Sequence, residues 1–132
     1  MDDRRAPLSP ASFWARVSVD VDFGLRRGAW YRVVAMTPET VVLDVHGQAI
    51  EAPRVAIEVV DSLPFQWAVV PRPRNASFMI PASWGDHYGV CPHCAYRAPL
   101  FGAPAVLQCP GCGLTFVVGW EERYLGRNSG AA

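Results

Sequence analysis

All the cysteines of the chain lie in one short stretch, and their spacing constrains the fold more than any other feature. They form two C-x-x-C pairs, Cys91-Pro92-His93-Cys94 and Cys109-Pro110-Gly111-Cys112, with fourteen residues between them. Four thiols in this pattern can close disulfides, perform redox chemistry or bind a metal ion. Each alternative requires a different environment around the cysteines.

The surrounding sequence argues against the first two alternatives. Structural disulfides belong to oxidising compartments, and the N-terminus M-D-D-R-R-A-P-L-S-P lacks the apolar core of a signal peptide. We therefore expect a reducing cytoplasm. A thioredoxin-type redox pair starts a helix, but proline stands inside both pairs and no amphipathic helical pattern follows either. The pattern favours one tetrahedral zinc ion held by Cys91, Cys94, Cys109 and Cys112.

The residues around each pair suit the tight turn that such a site needs. Two intervening residues allow the two sulfurs to lie about 3.5–4 Å apart, as Zn–S bonds of about 2.3 Å require. Proline fixes φ at the start of the turn, and Gly113 can adopt the positive φ that closes it. Ala95 stands where the first pair lacks this glycine. The strain there is about 1 kcal/mol, small beside the roughly 10–16 kcal/mol that structural zinc contributes.

The segment from residue 90 to 120 resembles the zinc-ribbon family, in which two such knuckles on β-hairpins clamp one zinc. The motif L-Q-C-P-G-C-G-L-T-F-V-V is close to the bacterial form, and Leu107, Phe116 and Val118 match the apolar positions of its small core. The resemblance implies a rigid docking element of transcription or translation machinery, or a structural clip inside an enzyme. Four thiolates would leave zinc no open position, so we expect the metal to be structural and His93 to be an exposed bystander.

The N-terminal half carries short β-rich runs separated by turn signals. Twelve prolines and eleven glycines in 132 residues favour short strands over long helices. In T-V-V-L-D-V the alternation places Val41, Leu43 and Val45 on one face and Val42 and Asp44 on the other. His46-Gly47 is a predicted hairpin turn. The sequence therefore predicts a mainly β chain that curls into a small barrel or sandwich.

Residues 25 to 60 resemble the SH3-like small barrels, including the KOW and Tudor branches. In that family a glycine enters a long strand, a hairpin follows and one turn of helix precedes the last strand. Gly28, His46-Gly47 and Pro53-Arg54 are similar to these features. The resemblance implies an SH3-like β-barrel followed by the C-terminal ribbon.

These patterns predict five segments. Residues 1–12 form an N-terminal tail, 13–70 the barrel, 71–89 a proline- and aromatic-rich linker packed against the domains, 90–125 the ribbon and 126–132 a C-terminal tail. Three tryptophans lie before the linker, within it and in the ribbon. We expect Trp67, Trp84 and Trp120 to pack between domains rather than to form a ligand cage.

Charge limits the choice of partner. The formal net charge is zero, so no strongly basic surface of the kind that dominates phosphate binding is expected. Arginines near exposed aromatic rings could nevertheless contact phosphates, bases or acidic protein. The predicted partner surface comprises Arg26, Arg27, Trp30, Arg32, Arg72, Arg74 and Arg97.

The function expected from these features is non-catalytic. The adjacent pair Asp86-His87, with Ser83 nearby, is a weak catalytic candidate because it lies on a linker, and phosphate-loop and H-E-x-x-H motifs are missing. We expect a zinc-binding module that docks on a larger assembly, foremost a nucleoprotein machine such as a ribosome or RNA polymerase. The alternative is a protein–protein scaffold subunit without nucleic-acid contact.

Overall fold

The computed structural model describes residues 13–19, 24–72, 80–122 and 124–125. Within these residues the chain forms ten strands and two single-turn 3-10 helices, which confirms the mainly β prediction. The strands belong to two five-stranded sheets. The chain divides into two compact units, one containing the described residues up to Arg26 together with Trp30–Pro64, the other Arg27–Ala29 and the described residues from Phe65 onward.

The first unit is one antiparallel sheet in which the last strand returns to pair with the first. The strands are β1 (Trp14–Val17), β2 (Tyr31–Met36), β3 (Thr40–Val45), β4 (Gln48–Pro53) and β5 (Ile57–Val60). The strand order is β4-β3-β2-β1-β5, and a 3-10 turn, Arg54–Ala56, precedes β5. Because β5 pairs with β1 and not with β4, the chain curls back on itself, as a small barrel requires.

The hairpin and the face alternation predicted for β3 are confirmed. His46 and Gly47 adopt φ values of 53° and 86°, the positive-φ pair that a two-residue hairpin turn requires. The Asp44 carboxylate accepts a hydrogen bond from the Gly47 N–H at 2.9 Å, which fixes the turn. Val41 and Leu43 are fully buried while Asp44 is exposed, so the alternation does select the inner face.

The core of the first unit is built from aliphatic side chains on the inner faces of these strands. A register shift between Val33 and Ala35 bends β2 around this core. No polar side chain belongs to the cluster, so burial of apolar area stabilises this unit. The buried members are Ala15, Val17, Leu25, Val33, Val41, Leu43, Ala52 and Ile57.

The second unit is a mixed sheet of five strands. They are β6 (Gln66–Pro71), β7 (His87–Val90), β8 (Arg97–Pro99), β9 (Val106–Gln108) and β10 (Thr115–Val118). Their order in the sheet is β8-β7-β6-β10-β9, and a 3-10 turn, Ala82–Trp84, precedes β7. Strand β6 pairs in parallel with β10 and antiparallel with β7, and the other pairings are antiparallel.

The segment boundaries differ from those expected from the sequence. Strand β6 was expected to end the barrel, but it is the central strand of the second sheet. Strand β7 starts at His87, inside the predicted linker. The physical reason is burial: Trp67 on β6 is fully buried in the second core, and local alternation cannot show which sheet a strand will join.

Gly28 also has a different role from the one expected. It has φ of +85° and precedes β2 without entering it. A β-carbon there would lie 2.6 Å from a Val70 methyl group, and the Gly28 N–H donates to the Tyr124 hydroxyl at 3.0 Å. A side chain is therefore excluded on both conformational and steric grounds.

The predicted tails, residues 1–12 and 126–132, lie outside the described residues. Across the part of the chain that the structure describes, no helix combines the length and apolar character needed to cross a membrane.

Candidate metal centre

The two cysteine pairs fold into matching turns. In the first, the Cys91 N–H donates to the Tyr96 carbonyl at 2.9 Å and the Ala95 N–H donates to the Cys91 carbonyl at 3.0 Å. In the second, Cys109 bonds in the same way to Leu114 and Gly113, at 2.8 Å in both bonds. The same backbone pattern thus presents both pairs of sulfurs.

Each turn closes through a residue in the left-handed region. Gly113 has φ of 80° and Ala95 has φ of 67°. The sequence predicted this conformation at both positions, with strain at Ala95 alone because only glycine adopts it freely.

The four sulfurs of Cys91, Cys94, Cys109 and Cys112 come together as predicted. All four Sγ atoms lie within 4.8 Å of one another. Sulfurs from opposite turns meet at 3.5 Å for Cys94 and Cys109 and at 3.8 Å for Cys91 and Cys112. Four thiolates at these separations match the ligand set and spacing of a tetrahedral zinc site.

Backbone amides point at two of these sulfurs. The His93 N–H donates to Cys91 Sγ at 3.4 Å, while the Gly111 and Cys112 N–H groups donate to Cys109 Sγ at 3.3 and 3.4 Å. Such donors stabilise negative charge on sulfur and support the first ligand shell of a bound metal.

Burial and hydrogen bonding shift the thiol pKa values in different directions. Burial raises the pKa of Cys91 to about 12, above its ordinary value. Desolvation within the cluster also raises the pKa of Cys94. Burial acts to raise the pKa of Cys109, but hydrogen bonds from the amides of Cys112 and Gly111 and from neighbouring thiols together outweigh it, and that pKa is lowered. A divalent cation must displace the protons of Cys91 and Cys94 in order to bind.

The inner sulfurs are part of an apolar core. Cys91 and Cys109 are buried beside Trp67, Ala98, Leu100 and Val118, with Leu107 and Phe116 packed around them. The Trp67 indole N–H donates to the Leu107 carbonyl at 2.9 Å, which places the ring beneath β9. The predicted packing of Leu107, Phe116 and Val118 is confirmed, whereas the central role of Trp67 was missed because it lies outside the cysteine motif.

Tyr96 covers the second turn. A β-carbon on Gly111 would lie 2.9 Å from the Tyr96 ring, so the ring rests directly on that glycine. The contact joins the first turn to the second and helps to hold the two sulfur pairs at a fixed separation. His93 is exposed between the two ligands of its turn, as expected.

Arg72 has a structural role that the sequence did not reveal. Its guanidinium donates to three backbone carbonyls, those of Gly85, Ile80 and Pro81, at 2.8, 2.9 and 2.5 Å. These bonds fasten the connection between β6 and β7. Proline spacing and charge predict a partner-binding strip, but the sequence does not show which backbone carbonyls the fold brings around this guanidinium.

Trp30 in the first unit contacts a cation of the same chain. The Arg16 guanidinium lies 4.5 Å from the centroid of the Trp30 ring and donates to Glu58 at 2.9 Å. Only 2% of Arg16 is exposed, so the ring and the carboxylate enclose its charge. This cation–π contact engages the Trp30 ring within its own unit, and the role of Trp30 in partner binding stays a prediction.

The remaining predicted partner residues differ in exposure. Arg26 and Arg32 are exposed, and Arg32 lies 5.7 Å from the Trp14 ring. Arg27 and Arg97 are half-buried, and Arg74 lies outside the described residues. Their role in binding stays a prediction.

The remaining candidate residues belong to the second unit. Ser83, Asp86 and His87 are all exposed near the start of β7. Trp84 is half-buried in its 3-10 turn, and the Trp120 indole N–H donates to the Pro104 carbonyl at 2.7 Å.

Comparison with known proteins finds no matching protein-family model, no matching curated protein and no matching solved structure. The site is therefore interpreted from its own geometry.

Proposed function

We propose that this protein is a non-catalytic module whose second unit is stabilised by one structural zinc ion and which docks on a larger macromolecular assembly. The observation that carries the proposal is the cluster of four cysteine sulfurs within 4.8 Å. Cys91, Cys94, Cys109 and Cys112 would hold the metal. Because four thiolates fill a tetrahedral zinc ion, no position remains for water or substrate.

The surface of the second unit supports docking through protein contacts. Large apolar side chains are exposed around the metal-bearing sheet, where a monomer gains nothing from them. Arg72, which was predicted to contact a partner, donates instead to backbone carbonyls of its own unit. The exposed apolar residues are Phe65, Tyr96, Phe101, Val106, Leu114, Val117 and Trp120.

A nucleoprotein machine such as a ribosome or RNA polymerase is the assembly that the zinc-ribbon resemblance favours. Charge also supports some anionic contact: the second unit carries six arginines against three acidic residues (+3), and the first carries six against nine (−3). Contact with nucleic acid is therefore the second candidate, and it would use the second unit.

Density-gradient sedimentation of cell extract tests the proposal. Tagged wild-type protein should sediment with a larger assembly, and the Cys109→Ser variant should not, because it loses a ligand. His93→Ala is the matched control, since His93 lies in the same turn without serving as a ligand, and it should sediment like the wild type.

Salt and nuclease separate the two kinds of contact. Protein contacts should survive nuclease and moderate salt, whereas phosphate contacts weaken steeply as salt rises. Zinc-loaded wild-type protein that stays at the top of the gradient at low and high salt would contradict docking.

A further inference from the structure

All four sulfurs of the metal cluster lie within 4.8 Å of one another, and two of their contacts cross between the turns. Cys94 Sγ lies 3.5 Å from Cys109 Sγ, and Cys91 Sγ lies 3.8 Å from Cys112 Sγ. Each contact joins the second cysteine of one turn to the first cysteine of the other. A shared metal ion would use the same four sulfurs at similar separations.

Exposure divides each pair in the same way. Cys91 and Cys109 are buried, Cys94 is exposed and Cys112 is half-buried. Each crossing pair thus has one sulfur that solvent can reach and one that it cannot. A small oxidant arriving from solution meets Cys94 first.

Little movement separates the first pair from a covalent bond. A disulfide places its sulfurs about 2.05 Å apart, and Cys94 and Cys109 begin at 3.5 Å. Backbone amides of its own turn hold Cys109 Sγ, so closure requires rotation of Cys94 toward a sulfur that is already fixed.

We propose that Cys94 is a peroxide-sensitive position whose oxidation joins it to Cys109 and expels the metal. The inference rests on the proposed zinc centre and concerns its regulation. Hydrogen peroxide is the oxidant, and the closing disulfide uses the 3.5 Å pair rather than the two cysteines of one turn.

The reaction balances in two steps. The Cys94 thiolate attacks one peroxide oxygen, the O–O bond breaks, and the leaving hydroxide takes a proton to become water, which leaves a sulfenic acid. The Cys109 thiolate then attacks the Cys94 sulfur, the S–O bond breaks, and the second hydroxide also leaves as water. Two thiolates, one peroxide and two protons thus yield one disulfide and two waters.

Loss of these two ligands has a direct consequence. Only Cys91 and Cys112 would remain, and two thiolates do not complete a structural zinc site. The second unit would lose the metal that holds its two turns together. A second peroxide can then join Cys91 to Cys112 by the same chemistry, and a thiol reductant reverses both steps.

The test treats purified full-length protein with hydrogen peroxide after its zinc content has been measured. A zinc-responsive dye follows metal release, and peptide mapping by mass spectrometry identifies the disulfides. We expect the Cys94–Cys109 disulfide to form in step with zinc release, before Cys91–Cys112, and a thiol reductant with added zinc to restore the site.

Two variants keep a metal-competent ligand set while removing one sulfur. Cys94→His and Cys112→His each leave three cysteines and one histidine, a set that also binds structural zinc. We expect zinc release to slow at least tenfold in Cys94→His and to stay near the wild-type rate in Cys112→His. Similar rates in the two variants would overturn the assignment to Cys94.

Other outcomes separate this inference from the proposed function. Protein that carries no zinc before treatment would overturn the metal centre and the inference together. Protein that carries one zinc but keeps it under peroxide, or that forms Cys91–Cys94 or Cys109–Cys112 disulfides first, would overturn the inference alone.

Discussion

The two sheets of this protein are similar in size but are stabilised in different ways. Among the described residues of the first unit, the buried cluster consists of eight aliphatic residues, with Met36 among the partly buried side chains around it. In the second, Cys91 and Cys109 are two of the six buried residues of the cluster, beside Trp67, Ala98, Leu100 and Val118. The first core is therefore aliphatic, whereas the second includes two thiols of the candidate metal centre.

This difference has a thermodynamic meaning. Small units bury too little surface to be stable alone, and a structural metal is one of the usual remedies. Strands β8 and β9 have only three residues each. In the proposed function, a metal ion that joins the two turns stabilises the second unit, whereas the first unit has longer strands.

The largest expected effect is loss of the metal ligand set. Cys109→Ser should remove zinc and with it up to about 10–16 kcal/mol of apparent stabilisation. Hydrogen exchange read by mass spectrometry should show protection lost from residues 65–122 and kept in residues 30–60. His93→Ala should leave both regions protected, and uniform loss across the chain would contradict the contrast between the units.

A cavity in the first unit should destabilise that unit and leave the metal-binding unit unchanged. Leu43 is fully buried in the aliphatic cluster, so Leu43→Ala should reduce the free energy of unfolding of that unit by about 2–5 kcal/mol. Chemical denaturation measures the loss, and zinc content should not change. Zinc loss in this variant would show that the two forms of stabilisation are not separate.

Acidification should weaken only the metal-dependent unit. Burial raises the pKa of Cys91 to about 12, and desolvation raises that of Cys94, so both thiols hold protons near neutral pH. Zinc must displace them, and its affinity should fall about tenfold per displaced proton for each unit of pH decrease.

The pKa of Cys109 is lowered, so its contribution to the pH dependence of zinc affinity begins at a lower pH than the contributions of Cys91 and Cys94. Zinc titrations with a competing chelator, in buffers between pH 6 and 8, measure the slope. A zinc affinity that does not change with pH would show that zinc does not bind by displacing protons from these thiols.

Much of this contrast is visible in the sequence. The C-P-x-C spacing predicted the sulfur cluster, and the alternation around Leu43 with the His46-Gly47 turn predicted the first hairpin, because these features depend on residues close together in the chain. Parallel pairing of β6 with β10 joins Gln66 to Val117, fifty-one positions apart, and no local period specifies it. The same limit hid the Trp67 core and the carbonyl contacts of Arg72.

The smallest expected effect concerns the residue that closes each of the two cysteine turns. Gly113→Ala places a side chain at φ of 80° and should reduce the stability of the zinc-loaded unit by about 1 kcal/mol, while Ala95→Gly should relieve similar strain. Opposite shifts in melting temperature are the expected result. Shifts of the same sign would show that the two turns are not equivalent.

Metal analysis of the purified full-length protein tests the central claim most directly. Inductively coupled plasma mass spectrometry of wild-type protein, purified without added metal or chelator, should find one zinc per chain and none in Cys109→Ser. A wild-type protein without zinc, or a Cys109→Ser variant that keeps it, would contradict a structural metal held by these four cysteines.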